Sequence, residues 1–402
     1  MDSYRQARDI MQKFTIATHV SVDINSSAIQ PHRYLWTDAF AVCNYLSLYR
    51  QSATPIFLQQ ALQLVSQVHQ VLGQQRKDSA HNGWLSGLDE EQARLHPTLG
   101  GLRIGKALNE RSKDDPINES LEWQQDGQYF HYLTKWMHAL NRVAQDTGNA
   151  IYTKWAIELA KVAHRAFVYT PATGGAKRIY WKMSIDLSRP LVTSMGQNDP
   201  LDGLLTYLQL QTSSIQHPDI PAEFRLDSEI ADMLEICNGI SWVSHDTLGI
   251  GGLLNDAFKL LQLSDKHHLH HNINLSDLLH DIEQSLYLFF SNAPLQQGAE
   301  HRLAFRELGL AIGLQTINKM QQWLKQNPGR FSQEALLGER LTKLSFFEPI
   351  HTTIENFWLN PQHRTHNSWL EHEDINNVML ATSLLPDGFL QLFRNPHSNL
   401  SL

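Results

Sequence analysis

The chain has 402 residues, 42% hydrophobic and only 18% charged, against roughly 25% charged in an average soluble domain, so it can bury a sizeable core and is not disordered. Lysine and arginine number 33 against 41 aspartates and glutamates, a net charge of −8 with no long basic run, which argues against nucleic acid as a partner. The opening MDSYRQARDIMQKF carries charges where an export signal needs an apolar core, and the longest apolar run, LGLAIGL at 308–314, is far short of the ~20 residues of a membrane span. A cytoplasmic protein with no membrane partner is expected. Cys43 and Cys237 lie in apolar segments and read as small buried thiols, too few for a disulfide framework.

In chain order, residues 1–33 are taken as a flanking N-terminal segment and the whole of 1–402 as a single domain. Ala39, Val42, Cys43, Leu46 and Tyr49 share one helical stripe, and Phe57, Ala61, Leu62, Val65, Val68 and Leu72 share another. Between them Thr54 and Pro55 supply a helix start and Gly73 a stop. The same unit recurs as 130–146 with 150–167, 200–211 with 223–237, 248–262 with 275–290, and 302–326 with 332–346. A further helical stretch runs through 350–359 and 369–385, while strand signals are confined to short pieces such as 178–185. The expected class is all-α. No side-chain repeat of solenoid length is present, so an (α/α)6 toroid of helical hairpins is the favoured architecture.

The loops between hairpins hold the unusual residues. The longest, Arg76 to Gln125, carries His96, Arg103, Gly105-Lys106, Arg111 and Glu122-Trp123, and runs on to Asp126-Gly127-Gln128-Tyr129-Phe130. A second loop, 168–199, carries Trp181-Lys182, Arg189 and Gln197, and leads into Asp199-Pro200-Leu201-Asp202 at a helix start. Asp199 also reads as an ordinary N-cap ahead of proline. Other helix starts supply Trp36 and Asp38, His245-Asp246, His301, Arg306-Glu307, His351 and Glu371-His372. Acids, imidazoles and indoles gathered at helix starts are expected to line a ligand pocket. Asp126 and Asp202 are the first choice for a pair of catalytic carboxyl groups, with Glu122 and Asp246 as substitutes. Trp36, Trp123, Tyr129 and Trp181 offer walls for stacking a sugar ring. Arg103, Lys106, Arg111, Arg178, Lys182 and Arg189, concentrated in two loops of an acidic chain, point to a substrate bearing an anion.

Hairpins with aromatic and acidic residues at their loop ends make residues 34–385 resemble the six-hairpin glycosidase superfamily. Within it, Asp126-Gly127-Gln128-Tyr129-Phe130 and Asp202-Gly203-Leu204-Leu205 are similar to elements of the unsaturated glucuronyl hydrolases, although here glycine directly follows the aspartate. The resemblance implies a glycoside hydrolase acting on a small-molecule or oligosaccharide ligand through two carboxyl groups, without a cofactor.

Two other activities are weighed. A sugar epimerase or isomerase, similar to the N-acylglucosamine 2-epimerases, would move protons with histidines such as His245, His301, His351 and His372; its Pro-Gly-His-x-x-Glu-Trp element is absent and Glu300-His301-Arg302 is a loose echo. A non-catalytic saccharide- or protein-binding scaffold would show the chosen carboxylates locked in salt bridges. No metal is expected, since Cys237 is followed by asparagine rather than a histidine ligand and His267 to His271 falls between helices.

Overall fold

The computed structural model describes residues 2–21, 31–264, 273–291, 294–331 and 333–393. The histidine run 267–271 lies outside them. The helices are α1 (Ser3–Ala17), α2 (Leu35–Ser52), α3 (Pro55–Leu72), α4 (Glu90–Leu95), α5 (Glu119–Glu122), α6 (Phe130–Thr147), α7 (Ile151–Phe167), α8 (Asp199–Gln216), α9 (Asp227–Cys237), α10 (Thr247–Ser264), α11 (Leu275–Phe290), α12 (Ala304–Gln326), α13 (Glu334–Leu344), α14 (Ile350–Leu359), α15 (Asn367–Leu370), α16 (Glu373–Leu384) and α17 (Asp387–Leu390). The all-α class of helical hairpins expected from the sequence is what the chain forms, with strand among the described residues limited to pieces of two or three residues. Contacts divide it into two compact units, one built on Thr15–Ile236 and the other on Met1–Phe14 with Cys237–Leu392.

In the first unit α2 and α3 form a hairpin whose turn is made by Ala53 in the left-handed region (φ 53°), its amide donating to the Tyr49 carbonyl, before Pro55 opens α3. The α6–α7 hairpin turns at Gly148 (φ 70°), where any side chain would be strained. α6 is the central helix, packed against α2, α7 and α8. Leu133, Trp136, Met137, Leu140 and Val143 on α6 are buried, the helical stripe read from the sequence. A three-stranded antiparallel sheet sits at its N-terminal end, with β1 (Gln128–Tyr129), β4 (Lys182–Met183) and β5 (Pro190–Val192) in that order and Tyr129 opposite Lys182. A second pair, β2 (Val168–Tyr169) and β3 (Arg178–Ile179), extends α7.

The stretch 76–125 is not a structureless loop, because α4, α5 and the isolated bridges Gln74–Trp84 and Leu108–Gln125 give it local order.

The second unit is organised on α10 and α12, whose backbones touch through glycines. A Cβ on Gly251 would stand 2.2 Å from the Gly309 carbonyl oxygen, and one on Gly313 would stand 2.6 Å from that of Gly251. The run LGLAIGL is therefore apolar and small for a reason, namely the closeness of two helices. α14 and α16 also pack on α12.

Both cysteines are buried free thiols, and burial pushes each up to about 12. Among the described residues no helix is long and apolar enough to cross a membrane.

Candidate functional site

Within the first unit, the N-terminal ends of α2, α6 and α8, the sheet and the stretch 96–128 converge on one cluster. Its centre is His131, the second residue of α6, which sequence reading passed over. Tyr129 stacks on the imidazole at 5.5 Å between ring centres and Trp181 at 6.3 Å. Trp36 and Tyr132 meet it edge-on at 5.9 and 4.8 Å, and the Tyr34 and Tyr132 hydroxyls are 2.7 Å apart. Trp36 and Tyr129 are almost wholly buried, whereas Trp181 is half-buried and Trp123, packed on Trp181 at 4.7 Å, is 51% exposed. Of the aromatic walls, Trp123 and Trp181 thus keep faces a ligand can reach.

Across from His131 stands Asp199, with Nδ1 and Oδ1 3.9 Å apart. The helix cap falls on Asn198, with no side-chain cap bond, so Asp199 lies just inside α8 and its carboxyl does not perform the capping role expected of it. Among the described residues neither His131 Nδ1 nor Asp199 Oδ2 has a hydrogen-bond partner, although the two side chains are only 24% and 10% exposed. Burial, seconded by the negative charge of Asp202, pushes Asp199 up to about 7. Burial and the neighbouring Lys135 charge push His131 down to about 3. The two groups are therefore a carboxyl that titrates near neutral pH and a neutral imidazole. Gly196 leaves room for the carboxyl, since a Cβ there would come within 2.6 Å of Asp199 Oδ2.

One turn deeper, the Lys135 ammonium donates to Asp202 Oδ1 at 2.6 Å and the Thr134 hydroxyl donates to Oδ2. The α6–α8 interface continues inward as polar pairs, His138 with Gln209 at 3.0 Å and Asn141 with Ser213 at 2.9 Å. These rungs fall at helical spacing on both helices, placing polar groups on one shared face.

The other carboxylates chosen from the sequence are clamped. Asp126 is fully buried and accepts from Arg103 Nη1 at 2.6 Å, Arg76 Nη1 at 3.3 Å, and the amides of Gly105 and Gly127 at 3.0 Å each. Arg103 also donates to the Val71 and Gln74 carbonyls at the end of α3, where helix carbonyls lack partners. Glu122 accepts from Arg111 at 2.6 Å and from Lys182 at 3.3 Å, and Lys182, wholly buried, also donates to the Glu122 and Gln125 carbonyls. Arg189 donates to the Arg111 carbonyl. Asp38 caps α2, accepting from the Tyr34 amide at 3.0 Å, with Arg33 3.6 Å away. His96 points back to Glu158 of α7 at 2.6 Å, and Gln197 is exposed on the loop before α8.

The remaining choices belong to the second unit. Asp246 caps α10, accepting from the Gly249 amide at 2.9 Å, and pairs with Arg306. Glu307 is held in a buried fork by Arg302 at 2.6 and 2.8 Å and accepts from the Trp358 indole at 2.8 Å. His245 and His301 are exposed, the latter 3.9 Å from Glu300. Among the described residues no group of three or more histidine, cysteine, aspartate or glutamate side chains is arranged to hold a metal ion.

No family model and no curated protein matches the sequence. Solved structures similar to the chain include a cellobiose 2-epimerase from Bacillus thermoamylovorans, 9% identical with a TM-score of 0.43 over 84% of this chain and 86% of that one. A D-mannose isomerase is 13% identical, with a TM-score of 0.42 over 85% of each chain. A cellobiose 2-epimerase from Spirochaeta thermophila is 12% identical, with a TM-score of 0.44 over 83% of this chain and 84% of that one.

Proposed function

We propose that the first unit binds a small saccharide against Trp181 and Trp123 and moves a proton on the carbon beside its carbonyl group, as a sugar isomerase or epimerase does. The observation that carries this reading is the His131–Asp199 pair. A carboxyl that titrates at about 7 is matched to taking and returning a proton at neutral pH. A neutral imidazole beside it keeps one N–H to donate to the carbonyl oxygen, and the pairing of a carboxylate base with a neutral histidine suits enediol chemistry. Asp199 takes the proton from carbon and the electron pair moves onto the carbonyl oxygen under the His131 hydrogen bond, giving an enediol. Asp199 then returns its proton to the neighbouring carbon while that enediol's other hydroxyl proton passes through the His131 imidazole to the former carbonyl oxygen, so that the carbonyl group has moved by one carbon.

The hydrolytic alternative needs two carboxyl groups flanking the bond; Asp199 could be one, but the carboxylates available to act with it are held by cations. Asp126 has four donors on its two oxygens, and Glu122 and Asp202 each face a lysine. These ion pairs also favour a second reading, a saccharide-binding unit without chemistry.

The test is a panel of aldoses and ketoses incubated with the protein in deuterium oxide, with proton NMR reading exchange at the carbon beside the carbonyl. Exchange in the wild type that is lost in Asp199→Asn and weakened in His131→Gln supports the proposal. Binding of sugars with no exchange for any of them removes it in favour of the binding unit.

A further inference from the structure

Resting on the reading that a sugar occupies the His131 cluster, we propose that this sugar carries an anionic group, a carboxylate or a phosphate, and that the Lys106 ammonium receives it.

Lys106 is held firmly at its backbone. Gly105 before it has φ 93°, and a Cβ there would stand 2.1 Å from the Arg33 carbonyl oxygen, so only glycine fits. The Lys106 carbonyl accepts from Arg76 Nη1 at 2.7 Å. Its half-buried ammonium lies over the Tyr34 ring, 5.0 Å from the centre. Tyr34 is bonded to Tyr132, and Tyr132 packs on His131 and Trp36. Lys106 therefore borders the aromatic cluster rather than the bulk surface.

The surrounding charges are unequally shared. Asp126 serves Arg103 and Arg76, Asp78 serves Arg76, and Glu122 serves Arg111 and Lys182. Among the described residues no carboxylate lies within ion-pair distance of Lys106. Lys182 adds a second positive charge nearby, sealed in by its own three acceptors. Burial and this neighbour push Lys106 below the usual lysine range, a cost that an arriving anion removes. In a chain with a net charge of −8, a half-covered cation left over beside an aromatic wall is a receptor for a negatively charged group.

Calorimetric titration of the full chain with D-glucose, D-glucuronate and D-glucose 6-phosphate tests this. At least one anionic sugar is expected to bind roughly tenfold or more tighter than glucose, with the advantage shrinking as salt rises. Lys106→Met should bring the anionic sugars down to the affinity of glucose, Lys106→Arg should retain most of the advantage, and matched thermal melts establish that both variants fold. Which anionic sugar gains separates carboxylate from phosphate. Equal affinity for all three sugars, or an advantage that survives Lys106→Met, overturns the assignment while leaving the site itself standing. Failure of every sugar to bind overturns the site and the assignment together.

Discussion

The Asp199 carboxyl and the His131 imidazole face each other at 3.9 Å without forming a charged pair, because the same burial that protonates one deprotonates the other. Their contributions to folding have opposite signs. Folded Asp199 keeps its proton up to about 7 while the unfolded chain releases it near 3.8, so its contribution to stability falls as pH rises across that window. Folded His131 stays neutral down to about 3 while the unfolded chain protonates near 6.5, so its contribution rises with pH in the same range. Urea unfolding between pH 4 and pH 7, in steps of about half a unit, should therefore show a steeper rise of stability with pH in Asp199→Asn than in wild type. His131→Gln should show a fall. Parallel curves for all three proteins would contradict the assigned shifts.

If Asp199 is the base, kcat/KM should climb as pH passes through about 7. Lys135 holds that value down, so Lys135→Met should move the limb to higher pH, and a limb that stays put would show that Asp199 does not control it. At the optimum, Asp199→Asn should cost roughly 100- to 10,000-fold in turnover.

Asp126 is a structural anchor and its variants should fail differently. Asp126→Asn leaves the buried Arg103 guanidinium without a charged partner, a loss of about 3–5 kcal/mol. Denaturant titration should register it as a lower midpoint. A midpoint like that of wild type with turnover abolished would return Asp126 to the catalytic role that sequence reading gave it.

The glycine contact between α10 and α12 predicts a sharp positional contrast. Gly251→Ala forces a methyl group against the Gly309 backbone and should destabilise by about 1–3 kcal/mol. At the adjacent Gly252 a Cβ meets open space, so Gly252→Ala should be neutral or should gain up to about 1 kcal/mol in helix propensity. Thermal melts of the two variants check both signs.

The helices were legible because their apolar residues recur at a period set by local geometry, and the stripes on α2, α3, α6 and α7 needed no knowledge of partners. Trp36, Tyr129 and Asp199 were legible as aromatic and acidic residues at helix starts and Trp181 as an aromatic residue of the loop 168–199, and all four stand around His131. The division of labour among the carboxylates was not legible. Asp126 looked reactive because its segment is similar to an element of the unsaturated glucuronyl hydrolases, yet its fate is set by Arg103 and Arg76, which lie 23 and 50 residues away. His131 belongs to no motif of its own, and its signal in the sequence is the run Tyr129-Phe130-His131-Tyr132, an imidazole among aromatics where a helix begins. Lys135, four residues on and so on the same helix face, completed that signal.

The donors on Asp126 from Arg103, Gly105 and Gly127 and the amide of Ile104 on the Gly127 carbonyl close the stretch 102–128 on itself, while Arg76 on Asp126 and the amide of Arg103 on the Leu72 carbonyl fasten it to the end of α3. A wall fastened in this way is already shaped before a guest arrives. Association then surrenders little chain freedom, and the strength of each new contact passes almost undiminished into affinity.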